Sequence, residues 1–221
     1  MPTGSRPVLL LTRPEADSRR FAAMLPEFRA VISPILRIVP VEHDASRLAG
    51  AEGLIFTSGH AVASAGAGRG RLAICVGRRT AEIAAAAGFT VQHGNGFAES
   101  LIPLIEAAPM PLIHPHGRHL ARRLPVTGMV VYDQLALPLN DQAVALLQGD
   151  APLLLPLFSP RSSQLVSAAV VQARAPLWPV AISPAAMAQW RAPAQRQAVA
   201  ATADIEAMAD ACRSLAVSEQ S

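Results

Sequence analysis

Lysine is missing from this chain of 221 residues, so all nineteen of its basic side chains are arginines. A planar guanidinium suits carboxylates and phosphates, although a codon bias toward Ala, Arg and Pro explains the same composition without a ligand. The formal charge is only +3, and the arginines are scattered along the chain. Because nucleic-acid-binding domains gather their basic residues on one face, we expect no nucleic-acid partner.

Cysteine occurs only twice, at Cys75 and Cys212, each in an apolar context. This usage predicts two buried, reduced thiols in a cytoplasmic protein and not a disulfide framework. Residues 1–14 lack the long apolar segment of a signal peptide, and no stretch reaches the length of a membrane-spanning helix. We therefore expect no membrane partner.

The common cofactor and nucleophile motifs are also missing. The sequence has no Walker loop, no Gly-x-Ser-x-Gly elbow and no Cys-x-x-Cys pair. The glycines of residues 66–70 have the wrong spacing for a dinucleotide loop, and they follow a predicted helix instead of a strand. Aromatic residues make up 4% of the chain, and Tyr132 is the only tyrosine.

The most informative stretch that is present is AICVGRRTAEIAAAAGF, residues 73–89. It predicts a strand buried on both faces, a turn at Gly77, and a helix that begins near Arg78 and stops at Gly88. A ligand can approach the backbone at Gly77, and the amides of a helix start hold anions. Thr80 offers a hydroxyl to the same ligand.

Apolar runs alternate with helical patterns along the whole chain, which predicts parallel sheets covered by helices on both faces. Thr12 and Glu15 have the spacing of a capping box at the start of a helix to about residue 25. A short basic helix is predicted over residues 117–124, and Pro179 indicates an outer strand. The last residues, SLAVSEQS, are expected to fray.

Two weak internal repeats divide the chain into similar α/β halves. LIFTSGHAVASA resembles LPLFSPRSSQLVSA, with Ser58 opposite Ser159, and AICVGRRTAEI resembles PVAISPAAMAQW, with Gly77 opposite Ser183. Extended segments separate the halves. We predict a discontinuous first lobe of residues 1–34 and 138–221, a second lobe of residues 42–129, and connectors at 35–41 and 130–137, with a ligand cleft between the lobes.

Six segments in order and spacing resemble the uroporphyrinogen-III synthase family: LLTRP, IFTS, AICVGRRTAEIAAAAGF, VVYDQ, LFSPRS and VAATADIEAMADA. The resemblance implies two flavodoxin-like parallel-sheet lobes joined by a two-stranded β ladder. It also implies a monomeric, cofactor-free lyase. Its substrate is the linear tetrapyrrole polycarboxylate hydroxymethylbilane, which it closes to uroporphyrinogen III with inversion of the last pyrrole ring and loss of water.

By this resemblance Tyr132 is the candidate acid, or orienting group, for the departing hydroxyl. A tyrosine phenol keeps its proton at neutral pH and donates a hydrogen bond. The alternative is a half-buried tyrosine that only caps a strand. The predicted substrate-binding residues are those at strand ends and helix starts: Arg13, Ser58, Gly77, Thr80, His116, Ser159, Ser162 and Ser183. The serines and Thr80 have a second explanation as ordinary helix caps, and Arg13 as a solvated arginine.

His114, His116 and His119 form the spacing H-x-H-x-x-H, which raises the possibility of a metal site. No acidic residue or cysteine stands nearby in sequence, so we expect no metal and a polar, partly basic edge instead. Ser183 and Ala186 stand where the family has glycine and threonine. This departure leaves a non-catalytic binding or regulatory protein on the same scaffold as the alternative function.

Overall fold

The computed structural model describes residues 6–120 and 122–217. Within these residues the chain forms two compact units. We call the residues up to Arg37 and from Ala136 onward the terminal unit, and Ile38–Leu135 the middle unit. Of the C-terminal residues that were expected to fray, 214–217 belong to the last helix, and the others lie outside the described residues.

The strands follow the chain in this order: β1 (Val8–Leu11), β2 (Ala30–Ile32), β3 (Leu36–Pro40), β4 (Gly53–Phe56), β5 (Leu72–Cys75), β6 (Thr90–His93), β7 (Leu112–Gly117), β8 (Thr127–Ala136), β9 (Leu153–Leu157), β10 (Leu177–Ala181) and β11 (Ala198–Val199). The α-helices are α1 (Glu15–Ala23), α2 (Ala45–Ala49), α3 (Arg78–Ala86), α4 (Ile102–Glu106), α5 (Asp141–Leu147), α6 (Pro160–Ala169), α7 (Pro184–Met187) and α8 (Ile205–Val217). Two 3₁₀ helices cover Gly59–Ala65 and Ala98–Leu101. This alternation confirms the predicted α/β class.

The terminal unit contains a parallel sheet in the order β11-β10-β9-β1-β2. Strands β1 and β9 are buried at every position, and their sequences VLLL and LLLPL are continuous apolar runs. A strand that is covered on both faces requires such a run. Val8 and Leu10 belong to one apolar cluster and Leu9 and Leu11 to another, so the two faces of β1 pack into separate cores.

The middle unit contains a sheet in the order β3-β8-β7-β4-β5-β6. Strands β6, β5, β4, β7 and β8 are parallel. The Val41 N–H donates to the Val131 carbonyl and the Leu137 N–H donates to the Ile35 carbonyl, so β3 runs antiparallel to β8. The predicted connectors therefore do pair with each other, but β8 also pairs with β7, and the ladder is continuous with this mostly parallel sheet.

The start of α1 differs from the predicted capping box, which is wrong. Pro14 is the N-cap residue, and no side chain caps this helix. Thr12 is only 3% exposed, because it continues β1, and its carbonyl accepts a hydrogen bond from the Ile35 N–H. Thr12 therefore has the spacing of a capping residue, but it lies at the end of a strand and does not cap the helix.

Two further predictions are wrong for reasons of strand pairing. Residues 118–120 and 122–124 form no helix, because β7 continues to Gly117 against β8 and the chain then turns. Strand β10 is not an outer strand, since it lies between β9 and β11. The edge strand β11 is so short that it pairs only with Val180 and Ala181. Pro179 has no partner on that side, so its lack of an N–H costs the sheet no hydrogen bond there.

The glycine-rich loop before β5 is held by one side chain, Arg71. The loop is tight: Gly66, Arg69 and Gly70 have positive φ, and a Cβ on Gly68 would lie 2.3 Å from the backbone of Phe89. The half-buried Arg71 guanidinium lies 5.2 Å from the centre of the Phe89 ring. Its N–H groups donate to the backbone carbonyls of Leu48, Ala49, Ala51, Ala65, Ala67 and Gly68. One cation therefore ties α2, the 3₁₀ helix and the loop together.

Substitution of Arg71 by lysine tests this tie. A guanidinium presents five donors in a fixed fork, whereas an ammonium presents three donors on one nitrogen. We expect Arg71→Lys to lower the free energy of unfolding by about 2 kcal/mol, measured by urea denaturation, because several charge-assisted hydrogen bonds are lost. Arg69→Lys is the matched control in the same loop. Equal unfolding midpoints for the two variants would contradict the assigned role.

Candidate functional site

Five predicted site residues of the middle unit lie at one edge of its sheet. Ser58 follows β4, and Gly77 and Thr80 follow β5; His116 is near the end of β7, and Tyr132 is in β8 opposite Gly117. These strands are parallel, so their carboxyl ends share an edge, where α/β sheets bind ligands. As the sequence repeat predicts, Ser58 lies at the same kind of strand-to-helix turn as Ser159, and Gly77 at the same kind as Ser183.

Tyr132 is buried, with 6% of its surface exposed, and it belongs to an apolar cluster of the middle unit. The centre of its ring lies 6.0 Å from the centre of the His60 ring, in an edge-to-face arrangement. Its backbone carbonyl accepts a hydrogen bond of 2.9 Å from the Arg118 N–H. The phenol is thus fixed by packing at the carboxyl edge of the sheet.

His114 is a buried, hydrogen-bonded side chain of this edge. It was not among the predicted binding residues. Its ring is 2% exposed, its Nε2 lies 2.9 Å from the Thr57 hydroxyl, and the His116 ring centre is 4.9 Å away. Burial, and next the neighbouring His116, lower the pKa of His114 to about 4. The imidazole is therefore neutral at neutral pH. The signal for this pair was the two-residue spacing, which puts both rings on one face of a strand.

His116 is half-buried, and its Nδ1 lies 2.7 Å from the Gly117 carbonyl. Since a carbonyl only accepts, Nδ1 carries the hydrogen, and Nε2 of the neutral ring is an acceptor. His119 is directed elsewhere, with its Nε2 3.7 Å from the Asp133 carboxylate. Within residues 6–120 and 122–217, no group of three His, Cys, Asp or Glu side chains is arranged to hold a metal ion.

The start of α3 differs from the starts of the other helices at the predicted sites. Gly77 is the N-cap residue of α3 and has no side chain that could cap it. By contrast, the hydroxyls of Ser58, Ser159 and Ser183 each accept a hydrogen bond from a first-turn N–H of their own helix. These three serines therefore cap their own helices, as the alternative explanation held, whereas the N-cap position of α3 offers no side chain to its first-turn N–H groups.

Gly77 is not required by the backbone. Its φ is −167°, which is ordinary extended backbone, and an added Cβ would lie 3.4 Å from Gly96, in van der Waals contact. Thr80, one turn into α3, is 7% exposed. Because Gly77 has no side chain, the N-cap residue itself makes no hydrogen bond to the first-turn amides of α3.

The remaining predicted residues lie at the carboxyl edge of the terminal unit's own sheet. Arg13 follows β1, Ser159 and Ser162 follow β9, and Ser183 follows β10. Ser162 is buried, and its hydroxyl donates to the Ser159 carbonyl at 3.0 Å while lying 2.9 Å from the Ser159 hydroxyl. These hydroxyls already have protein partners, so a ligand there would share them or replace them.

Arg13 is partly buried and is held on two sides. Its guanidinium carbon lies 4.0 Å from the centre of the Phe158 ring, and its Nη2 lies 3.6 Å from the Asp17 carboxylate. Burial lowers the pKa of Arg13, and Asp17 opposes that shift. An arginine remains cationic even so. Phe158 in turn meets Phe21 edge-to-face at 5.0 Å, so the stacked cation rests on a rigid aromatic pair.

None of the helices in the described part of the chain has the length and apolar character needed to cross a membrane.

Comparisons with known proteins agree with this arrangement. The family model described as uroporphyrinogen-III synthase HemD matches residues 26–210. No curated protein matches the chain significantly. Among solved structures, uroporphyrinogen-III synthetase from Helicobacter pylori is similar, with a TM-score of 0.59 and 15% identity over 97% of this chain and 99% of that chain. A mutant uroporphyrinogen III synthase from Thermus thermophilus has a TM-score of 0.53 and 16% identity, over 96% and 99%.

The structural likeness at these identities shows a shared fold, two mostly parallel sheets within α/β units. The family model covers most of the sequence, and apart from the first segment and the final residue of the last one it includes the segments that carried the resemblance. The chain therefore belongs to the uroporphyrinogen-III synthase family.

Proposed function

We propose that this protein converts hydroxymethylbilane to uroporphyrinogen III, closing the ring with inversion of the last pyrrole and loss of water. The observation that carries this proposal is the family match over residues 26–210. The same match disfavours the alternative of a non-catalytic binding protein. The monomeric state and the cytoplasmic location stay predictions of the sequence.

The reaction depends more on the conformation in which the substrate is held than on a strong nucleophile. The substrate's hydroxymethyl group leaves readily from an electron-rich pyrrole, and uncatalysed closure gives the type I isomer. An enzyme for this reaction holds a flexible polyanion in one conformation and assists the departure of hydroxide. Neither task requires a cofactor.

The polar edge of the middle unit supports binding of carboxylates. The first-turn N–H groups of α3 are without a side-chain cap, and the helix dipole adds a partial positive charge there. The Arg79 and Arg118 side chains are each 58% exposed, and they make ion pairs with the exposed Glu82 and with the partly buried Asp133. Surface pairs contribute little to stability, so these arginines can exchange their partner for a substrate carboxylate.

Tyr132 is our candidate for the group that donates a proton, or a hydrogen bond, to the departing hydroxyl. Its burial and its packing against His60 and the core give the phenol one position, as a positioned acid requires. His114, on the neighbouring strand β7, is neutral and bonded to Thr57, so it adds no cation to this edge of the sheet.

An isomer assay tests the function itself. Purified protein mixed with freshly made hydroxymethylbilane is expected to yield the type III isomer, separated from type I by chromatography after oxidation to the porphyrins. A boiled sample provides the uncatalysed background. Recovery of type I alone, at the background rate, would exclude the proposed activity.

Replacement of Tyr132 by phenylalanine tests the role of its hydroxyl. The ring is kept, so the packing and the folding midpoint should be nearly unchanged. We expect kcat to fall by about 10–100-fold with a small change in KM, because general acid assistance is lost only in the transition state. A variant with full kcat would show that Tyr132 is a structural residue of β8.

A reciprocal exchange tests whether the open start of α3 binds substrate. Gly77→Ser would supply the cap that Ser183 already provides to α7, and the space beside Gly96 admits its Cβ. We expect KM to rise by about 3–10-fold, because the new hydroxyl occupies amides that a carboxylate would use, while stability changes by only a few tenths of a kcal/mol.

Ser183→Gly is the matched variant of the terminal unit. It removes a cap at a similar cost in stability and should change KM by less than about twofold, because in the wild-type protein the Ala186 N–H is bonded to the Ser183 hydroxyl and not to substrate. Equal effects of the two substitutions on KM would contradict the proposal that the start of α3 binds substrate more strongly than the start of α7.

A further inference from the structure

Strands β7 and β8 hold two rings, each packed over a glycine of the other strand. The Tyr132 ring on β8 covers Gly117 on β7, and the His116 ring on β7 covers Gly128 on β8. A Cβ added to Gly117 would lie 2.5 Å from Tyr132 Cε2, 2.6 Å from Cζ and 2.9 Å from the phenol oxygen. A Cβ added to Gly128 would lie 2.7 Å from His116 Nε2.

The register of the two strands produces this arrangement. His114 pairs with Gly128 and His116 with Val130, and the register then shifts so that Gly117 pairs with Tyr132. Residues that pair across neighbouring strands lie on the same face of the sheet. Without the shift, Tyr132 would face Arg118, whose long side chain would occupy the space of the ring. The irregularity thus brings the one residue type without a side chain beneath the phenol.

The backbone does not demand glycine at either position. The positive-φ glycines of the described residues are Gly66, Gly70, Gly88 and Gly96, so neither Gly117 nor Gly128 adopts a conformation reserved for glycine. What both positions supply is room. At Gly117 this room is next to the hydroxyl-bearing end of the ring, where the proposed chemistry takes place.

We propose that Gly117 is a positioning residue, which acts through Tyr132 by setting the distance of the phenol from the sheet. This inference rests on the proposed function only for the role of Tyr132 in catalysis. Carbon atoms in contact are about 3.5–4.0 Å apart, so a methyl group at position 117 would displace the ring by about 1 Å. A displacement of that size can reduce a rate by about 10²-fold.

The molecule offers a direct probe, because Tyr132 is its only tyrosine. Protein grown with tyrosine that carries ¹³C in its ring should give one set of tyrosine signals in its NMR spectrum, and that signal reports the surroundings of the phenol without any substrate. Gly117→Ala is expected to shift it. Gly128→Ala crowds the neighbouring ring of the same strand pair and should shift it much less.

Gly50→Ala is the control for glycine replacement as such. Gly50 has a φ of −86°, and its added Cβ would lie 3.4 Å from the Ser46 carbonyl oxygen, which leaves ordinary room. We expect this control to keep both the tyrosine signal and the activity. In Gly117→Ala, kcat should fall by about 10–100-fold with little change in KM, since the phenol acts in the transition state.

A double-mutant cycle with Tyr132→Phe separates positioning from general damage. Phenylalanine keeps the crowded ring but has no hydroxyl, so Gly117→Ala should cost little further kcat in that background. An equal loss of kcat in both backgrounds, or an unshifted tyrosine signal in the single variant, would overturn the proposal.

Should Gly117→Ala fold poorly, Tyr132→Leu provides the remaining test. Leucine lacks the crowded ring atoms, so the double variant should recover the unfolding midpoint of Tyr132→Leu alone, and a midpoint that stays low would overturn the assigned contact. A wild-type protein that forms no type III isomer would overturn the proposed function, whereas the tyrosine signal would still decide whether Gly117 sets the position of the ring.

Discussion

Burial of both faces of two parallel sheets is the constraint on which the rest of this structure depends. Strands such as β1 and β9 are apolar at every position because helices cover them on either side. Polar groups are therefore concentrated at the strand ends. The hydroxyls, the imidazole and the helix-start amides that we propose for binding lie at the carboxyl edges of the sheets, because parallel strands all end there.

At those turns a helix-start N–H can donate to one of two acceptors, a serine hydroxyl of its own helix or a bound anion. A serine hydroxyl that caps its own helix satisfies an amide that would otherwise bind an anion, and Ser159 and Ser183 are used in this way. Gly77 provides no such atom, and its α3 is long enough to have a dipole of its own. The difference between the two related turns is thus a difference in what the first-turn amides contact, and it follows from one residue in each.

The sequence predicts the strands and turns well where neighbouring residues alone determine them. Continuous apolar runs located the core strands, and the repeat placed Gly77 and Ser183 at equivalent turns. Local patterns failed where distant pairing decided the outcome. Thr12 has the spacing of a capping box, but it is buried at the end of β1 and does not cap α1. The basic segment after Gly117 forms no helix, because β7 pairs with β8 as far as Gly117 and the chain then turns. His114 gains its importance from Thr57, which is distant in sequence but adjacent through the pairing of β4 and β7.

The same reasoning explains why a residue such as Gly117 escapes a reading of the sequence. Glycine in a strand usually indicates a bulge or a close approach, but nothing local says which atom approaches. Here that atom belongs to Tyr132, and a register shift one residue earlier decides the pairing. A glycine that neither turns the chain nor ends a helix therefore has meaning only through its cross-strand neighbour. In this chain the neighbour is the single tyrosine, so the space at Gly117 and the position of the phenol are one property of the β7–β8 pair.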